Sequence, residues 1–107
     1  MPKPLQPTEH EIQAGILEYL LARGYYVWRN NSGGFRKGDY FVKVGKKGSA
    51  DIIGIHRDGS GRFLAIEVKR PGGKATPEQL EFIGAINMAG GKAFVAHSVD
   101  EVINELR

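Results

Sequence analysis

The sequence predicts an α/β domain, a mixed β-sheet flanked by helices, with elements in the order α-β-β-β-β-α-β-α. Three observations predict it. Three helical stretches each open on a Thr or Ser with Glu or Gln three residues later, at Thr8/Glu11, Thr76/Gln79 and Ser98/Glu101. Five short runs rich in β-branched and aromatic residues lie between them. Two of these runs are joined by "RDGSG", whose Asp58-Gly59 pair is a hairpin signal, and the second is followed by a helix and one more strand, which makes the sheet mixed.

The first helix is "TEHEIQAGILEYLLARG" (residues 8–24). Ile12, Ile16, Leu17, Leu20 and Leu21 form its apolar stripe and Gly24 ends it. "YYVWR" (25–29) is a strand, "NNSGGFRKG" (30–38) a loop by composition, and "DYFVKV" (39–44) a second strand. Residues 45–48 form a turn carrying two lysines. "ADIIGIH" (50–56) and "RFLAIEVK" (62–69) are the hairpin strands. "ATPEQLEFIGAINMAGG" (75–91) is a helix with Pro77 at its first position and Gly90 at its close. "AFVAH" (93–97) is a short strand, and a last helix from Ser98 buries Val99, Val102, Ile103 and Leu106.

Composition narrows the function classes. The 107 residues amount to one domain, with 41% hydrophobic and 25% charged residues. Residues 1–7 read as a flexible proline-rich arm and residues 8–107 as the single domain. No cysteine is present, which excludes disulfides and thiolate metal sites and suits a reducing cytoplasm. No apolar run reaches the roughly 18 residues of a membrane span. The net charge is +3. Arg23, Arg29, Arg36, Lys37, Lys43, Lys46 and Lys47 fall in a span whose one acid is Asp39, and Lys69, Arg70 and Lys74 form a second group. Such runs are either solvated surface or a phosphate-tracking face. Tyr25, Tyr26, Trp28 and Phe35 are candidates for stacking on unpaired bases or for core, with at least one strand pair buried.

The chemistry concentrates at the hairpin. Side chains alternate along a strand, so Phe63, Ala65, Glu67 and Lys69 share one face. Pairing centred on Gly59 sets residue 55 against 63 and Asp51 against Glu67. Opposed β-carbons lie about 5 Å apart, so the two carboxylates repel unless a divalent cation joins them. Lys69 follows about 7 Å further along that face, within reach of a metal-bound water or an attacked phosphate. Phosphodiester hydrolysis fits this set; a salt-bridged Glu-Lys strand edge is the plainer alternative. His10, His56 and His97 are scattered, with His56 on the face opposite Asp51, which argues against a histidine metal site. No hydrolase triad or phosphate-loop spacing is present.

The segments "GSADIIGI" and "FLAIEVKRPGGKATPEQLEFI", with weaker support from "EIQAGILEYL" and "VWRNNSGG", resemble the PD-(D/E)XK nuclease superfamily. Within it they resemble the virus-type replication-repair nuclease (VRR-NUC) family in a minimal stand-alone form. The resemblance implies a restriction-endonuclease-like fold with Mg²⁺ or Mn²⁺ bound by Asp51, Glu67 and the backbone carbonyl of Val68, and Lys69 as catalytic lysine. It matches Glu11 to a first-helix acid that supports the metal through water, and Gln79 to a glutamine facing the site; both residues are also explained by their capping boxes. Ala50 stands where the superfamily pattern has proline. The resemblance further implies a bacterial or phage-encoded intracellular enzyme, homodimeric, acting on branched DNA such as four-way junctions or flaps in repair, recombination or phage replication. Arg29, Arg36, Lys37, Lys46, Lys47, Arg70 and Lys74 are the candidate phosphate contacts. A catalytically idle nucleic-acid-binding module and an RNA-cleaving relative are the alternatives.

Overall fold

The computed structural model describes residues 5–30, 34–43 and 45–107; residues 1–4 of the expected N-terminal arm lie outside them. The elements are α1 (Glu9–Ala22), β1 (Tyr26–Arg29), β2 (Gly34–Lys37), β3 (Tyr40–Lys43), β4 (Ile52–Ile55), β5 (Phe63–Val68), α2 (Pro77–Met88), β6 (Lys92–Ala96) and α3 (Val99–Glu105). This is the expected order with one strand more. Gly34–Lys37 was expected to be loop, yet it pairs antiparallel with β3, Lys37 opposite Tyr40. The turn between them is Gly38-Asp39, with Gly38 at φ +62°, a two-residue hairpin connection hidden in a glycine-rich composition.

The main sheet has the order β1-β4-β5-β6. β1 and β5 both run antiparallel to β4, and β5 pairs parallel with β6 through the α2 crossover, so the sheet is mixed. Ile52 faces Ile66 and Ile55 faces Phe63. One face carries Val27, Ile52, Leu64, Ile66, Val68, Phe94 and Ala96, covered by Ile12, Ile16 and Leu20 of α1 and Val102 of α3. The other face is built from small residues. Ala50, Ala65 and Ala93 are buried there under Phe82, Ile83 and Ile86 of α2, with Ile53 beside them. Asn87 ties that helix down, its amide bonding both the N–H and the carbonyl of Ala93 at 2.9 Å.

Two of the three expected capping boxes are complete, at Thr8/Glu11 and Thr76/Gln79. At α3 only half forms. Ser98 accepts from the Glu101 N–H, but the Glu101 carboxylate accepts from the His97 N–H at 2.8 Å instead of returning to Ser98. The His97 ring completes a clamp. Nδ1 lies 3.0 Å from Glu101 Oε2 and Nε2 lies 2.9 Å from the Gly73 carbonyl. Both neighbours are pure acceptors, so the ring satisfies both only as an imidazolium. It thereby joins α3 to the loop that follows β5.

Two outcomes follow. At Gly54 a Cβ would stand 2.6 Å from the Val27 Cα of the neighbouring strand, and the β1–β4 ladder leaves no room to shift. Gly54→Ala is therefore expected to cost about 3 kcal/mol or more in denaturant unfolding, at or above the upper end of ordinary overpacking. The Gly73 carbonyl, and then Glu101, hold the His97 pKa above the ordinary 6.5. A raised folded-state value means that the clamp's stabilisation is complete below pH 6.5 and lost as pH rises through the folded pKa. NMR titration should find the His97 pKa above 6.5, and His97→Ala should flatten that part of the stability-pH curve.

Candidate active site

The hairpin register brings two acids to one end of the sheet. Ile52 pairs with Ile66, and one step beyond that pair stand Asp51 and Glu67. Asp51 lies just outside β4, where its carboxylate caps the ladder: Oδ2 accepts from the Val68 N–H at 2.8 Å. Its carbonyl accepts from the Asn30 N–H at 2.7 Å. The Asn30 side-chain amide in turn donates to Ser49 Oγ at 2.8 Å and to the Ala50 carbonyl at 2.9 Å. Asn30 thus fixes the approach to β4 and with it the position of Asp51. Ala50, fully buried against Ala65 and Ala93, makes that approach close.

Glu67 is 2% exposed, pointing to the α2 face while Ile66 and Val68 point into the main core. Its two oxygens differ. Oε1 accepts from Gln79 Nε2 at 2.9 Å and lies 3.7 Å from Lys69 Nζ. Oε2 is buried with no hydrogen-bond donor. Burial pushes the Glu67 carboxyl up to about 8; the neighbouring Asp51 carboxylate adds to the rise, Lys69 opposes it, and Glu9 adds to it slightly. A buried carboxylate that lacks a donor on one oxygen and faces a second carboxylate is a poor structural element and a good cation ligand. Among the described residues no group of three or more His, Cys, Asp or Glu side chains is gathered for a metal; Asp51 and Glu67 stand as a pair. Lys69 is largely buried as well, held beside Glu67 with its backbone N–H on the Ala96 carbonyl at 3.0 Å.

Gln79 carries both of the roles open to it. Its Oε1 accepts from the Thr76 N–H at 2.8 Å, closing the α2 capping box, while Nε2 donates to Glu67. Glu11 is placed differently. It is exposed, its Oε1 accepts from the Thr8 N–H at 3.2 Å, and that bond lowers its pKa. Glu9, two positions earlier, makes the smallest contribution to raising the Glu67 carboxyl. Positions two apart on a helix point to nearly opposite sides, so Glu9 and Glu11 cannot both serve one site.

The basic candidates Arg29, Arg36, Lys37, Lys46, Lys47, Arg70 and Lys74 are all exposed. Lys47 is 3.8 Å from Glu78 on α2. The side chains of Phe35 and Lys43 lie outside the described residues. Sequence reasoning missed Asn30 and Glu9. Asn30 was read as the start of a polar loop; its signal was an Asn directly after a strand, where a side-chain amide can stand in for a ladder partner. Glu9 was passed over because Glu11 satisfied the capping pattern.

Comparison with known proteins bears on the fold and the family. The family model for the VRR-NUC domain matches residues 12–100, a span that holds Asp51, Glu67, Lys69 and Gln79 and begins after Glu9 and Glu11. A solved structure, a VRR_NUC domain protein, is similar with a TM-score of 0.68 and 25% identity over 94% of this chain and 85% of that one. No curated protein sequence matches. With the fold and the matched span in agreement, the chain belongs to the VRR-NUC family, nuclease domains of the PD-(D/E)XK type.

Proposed function

We propose that this chain is a divalent-metal-dependent DNA endonuclease that hydrolyses phosphodiester bonds, with Asp51, Glu67 and Lys69 at its catalytic centre. The observation that carries the reading is the donorless Glu67 Oε2, buried opposite a second carboxylate with an ammonium 3.7 Å from its other oxygen. A hard cation suits this donor set, with the Val68 carbonyl as a third ligand. Mg²⁺ or Mn²⁺ held there would supply a water of lowered pKa and would offset negative charge on the phosphate.

The chain's own residues do the rest. Gln79 holds Glu67 by one oxygen and leaves the other for the cation. Asp51 is fixed through one oxygen by the Val68 N–H. Lys69 orients the attacking water and steadies charge on the phosphate as attack proceeds. Support through water from the first helix falls to Glu9 in preference to Glu11, because the Glu11 carboxylate is taken up by its cap. Arg29, Arg36, Lys37, Lys46, Lys47, Arg70 and Lys74 supply phosphate contacts that position the backbone. A domain of 107 residues offers little surface for base reading, which favours selection by DNA shape: four-way junctions or flaps, met in repair, recombination or phage replication. A homodimer would set two such centres on one branched substrate.

A panel of labelled duplex, flap, four-way junction and RNA substrates, incubated with Mg²⁺ or Mn²⁺, tests this directly. Cleavage of branched DNA is expected, and Glu67→Ala or Lys69→Ala should slow it at least about 100-fold. Salt-sensitive binding without cleavage of any DNA would instead mark an idle binding module. The metal-free fold gives a second check. The Glu67 pKa of about 8 means that the wild type keeps full stability below about pH 4.5 and loses it as pH rises through 8. Glu67→Gln should therefore raise the metal-free melting midpoint above pH 8, on the order of 5 °C, with the advantage vanishing in acid. Adding Mn²⁺ should raise the midpoint of the wild type and leave that of Glu67→Gln unmoved.

A further inference from the structure

The catalytic face of the sheet continues away from the acids into an aromatic surface that α2 leaves uncovered. By register, Tyr26 faces Ile55, which faces Phe63, and Trp28 faces Ile53, which faces Ala65. Phe63, Ala65 and Glu67 share one side of β5, so Tyr26 and Trp28 stand on the same side as Glu67. Val27, between them, points into the opposite core. α2 covers Ala65, Ala93 and Ile53 but not the outer rows. Tyr26 is 74% exposed and Trp28 46%, with Ile55 and Phe63 each more than a third exposed. Trp28 is one strand over and one row along from Asp51, roughly 8 Å by strand geometry, and Tyr26 is about 7 Å further on.

We propose that Tyr26 and Trp28 form a stacking platform for unpaired nucleobases, leading single-stranded DNA to or from the catalytic centre. The inference rests on the nuclease reading of the neighbouring acids, which sets nucleic acid as the occupant. Three features favour that occupant over a second copy of the chain. The four side chains together expose about 400 Å² of mainly apolar surface, about half of what each partner of a stable dimer contributes. The platform is continuous with the row holding Asp51 and Glu67. Exposed cations, Lys46 and Lys47, precede β4 in the turn that leads to Asp51.

The ring geometry selects the state of the DNA. The two ring centroids are 5.7 Å apart and their planes are inclined at 75°. Bases in a duplex are parallel and stack at about 3.4 Å. Two neighbouring bases cannot lie one on each ring without leaving the helix and turning away from each other. Only an unpaired, unstacked strand can use both rings, such as the arm of a flap or an opened junction.

Trp28 is the one tryptophan of the sequence, so its emission reports on this surface alone. With the full chain in EDTA, an oligothymidylate should quench it, and should bind more tightly than a blunt duplex of equal length. Tyr26→Ala should reduce the preference for single strand over duplex about tenfold, the loss of one stacked base, while Tyr26→Phe should retain it. Tyr26 is mostly exposed, so either variant should fold. Equal preference in wild type and Tyr26→Ala overturns the proposal. So does Trp28 emission that changes with protein concentration without DNA, which would give the surface to a second copy. Quenching with no metal-dependent cleavage would support the platform while removing the hydrolytic reading of the acids.

Discussion

The pairing of β4 with β5 forces Asp51 and Glu67 toward each other at the end of a sheet where water hardly reaches one of them. Among the described residues the relief is partial. The Val68 N–H and the Gln79 amide each satisfy a single oxygen, Lys69 stands at ion-pair distance from Glu67, and one carboxylate oxygen remains without a donor. Burying such a group is unfavourable by itself. The rest of the domain can be understood as the frame that holds this arrangement in place.

The frame is asymmetric for a physical reason. Large aliphatic residues fill the side under α1 and α3 and give the sheet its stability. The side under α2 is floored with alanines, which let the helix lie close and bring Gln79 within hydrogen-bond range of Glu67. The same small residues leave α2 covering only part of its face, so the aromatic rows beside it remain open. The large apolar core thus lies on one side of the sheet and the paired acids on the other.

Much of this was legible in the residues. The hairpin register followed from the Asp58-Gly59 turn and strict alternation, and Ile52 opposite Ile66 is the pairing it implied. Helix starts followed from their caps, because Thr8 and Thr76 leave few alternatives. What was not legible has identifiable causes. β2 was concealed because glycine-rich composition marks loops more often than strands, and its Gly-Asp turn was outweighed. Glu101 turned to His97 because a neighbouring backbone N–H competed with its own cap, a choice that depends on where the Gly73 carbonyl sits. The capping pattern singles out Glu11, whereas the charge effect of Glu9 on Glu67 depends on how α1 lies over the sheet. Asn30 acts through a contact across twenty positions of sequence, which no local pattern contains.

Gln79 links two events usually treated apart. One planar amide ends a helix with its oxygen and steadies a carboxylate with its nitrogen, so the start of α2 and the aim of Glu67 move together. Few other side chains could stand there. Glutamate would cap equally well but would add a third negative charge to a crowded corner, and asparagine is one methylene too short to span the same two partners. Fraying of that single helical turn would therefore release Glu67 at the same moment, coupling the first turn of α2 to the setting of the paired acids.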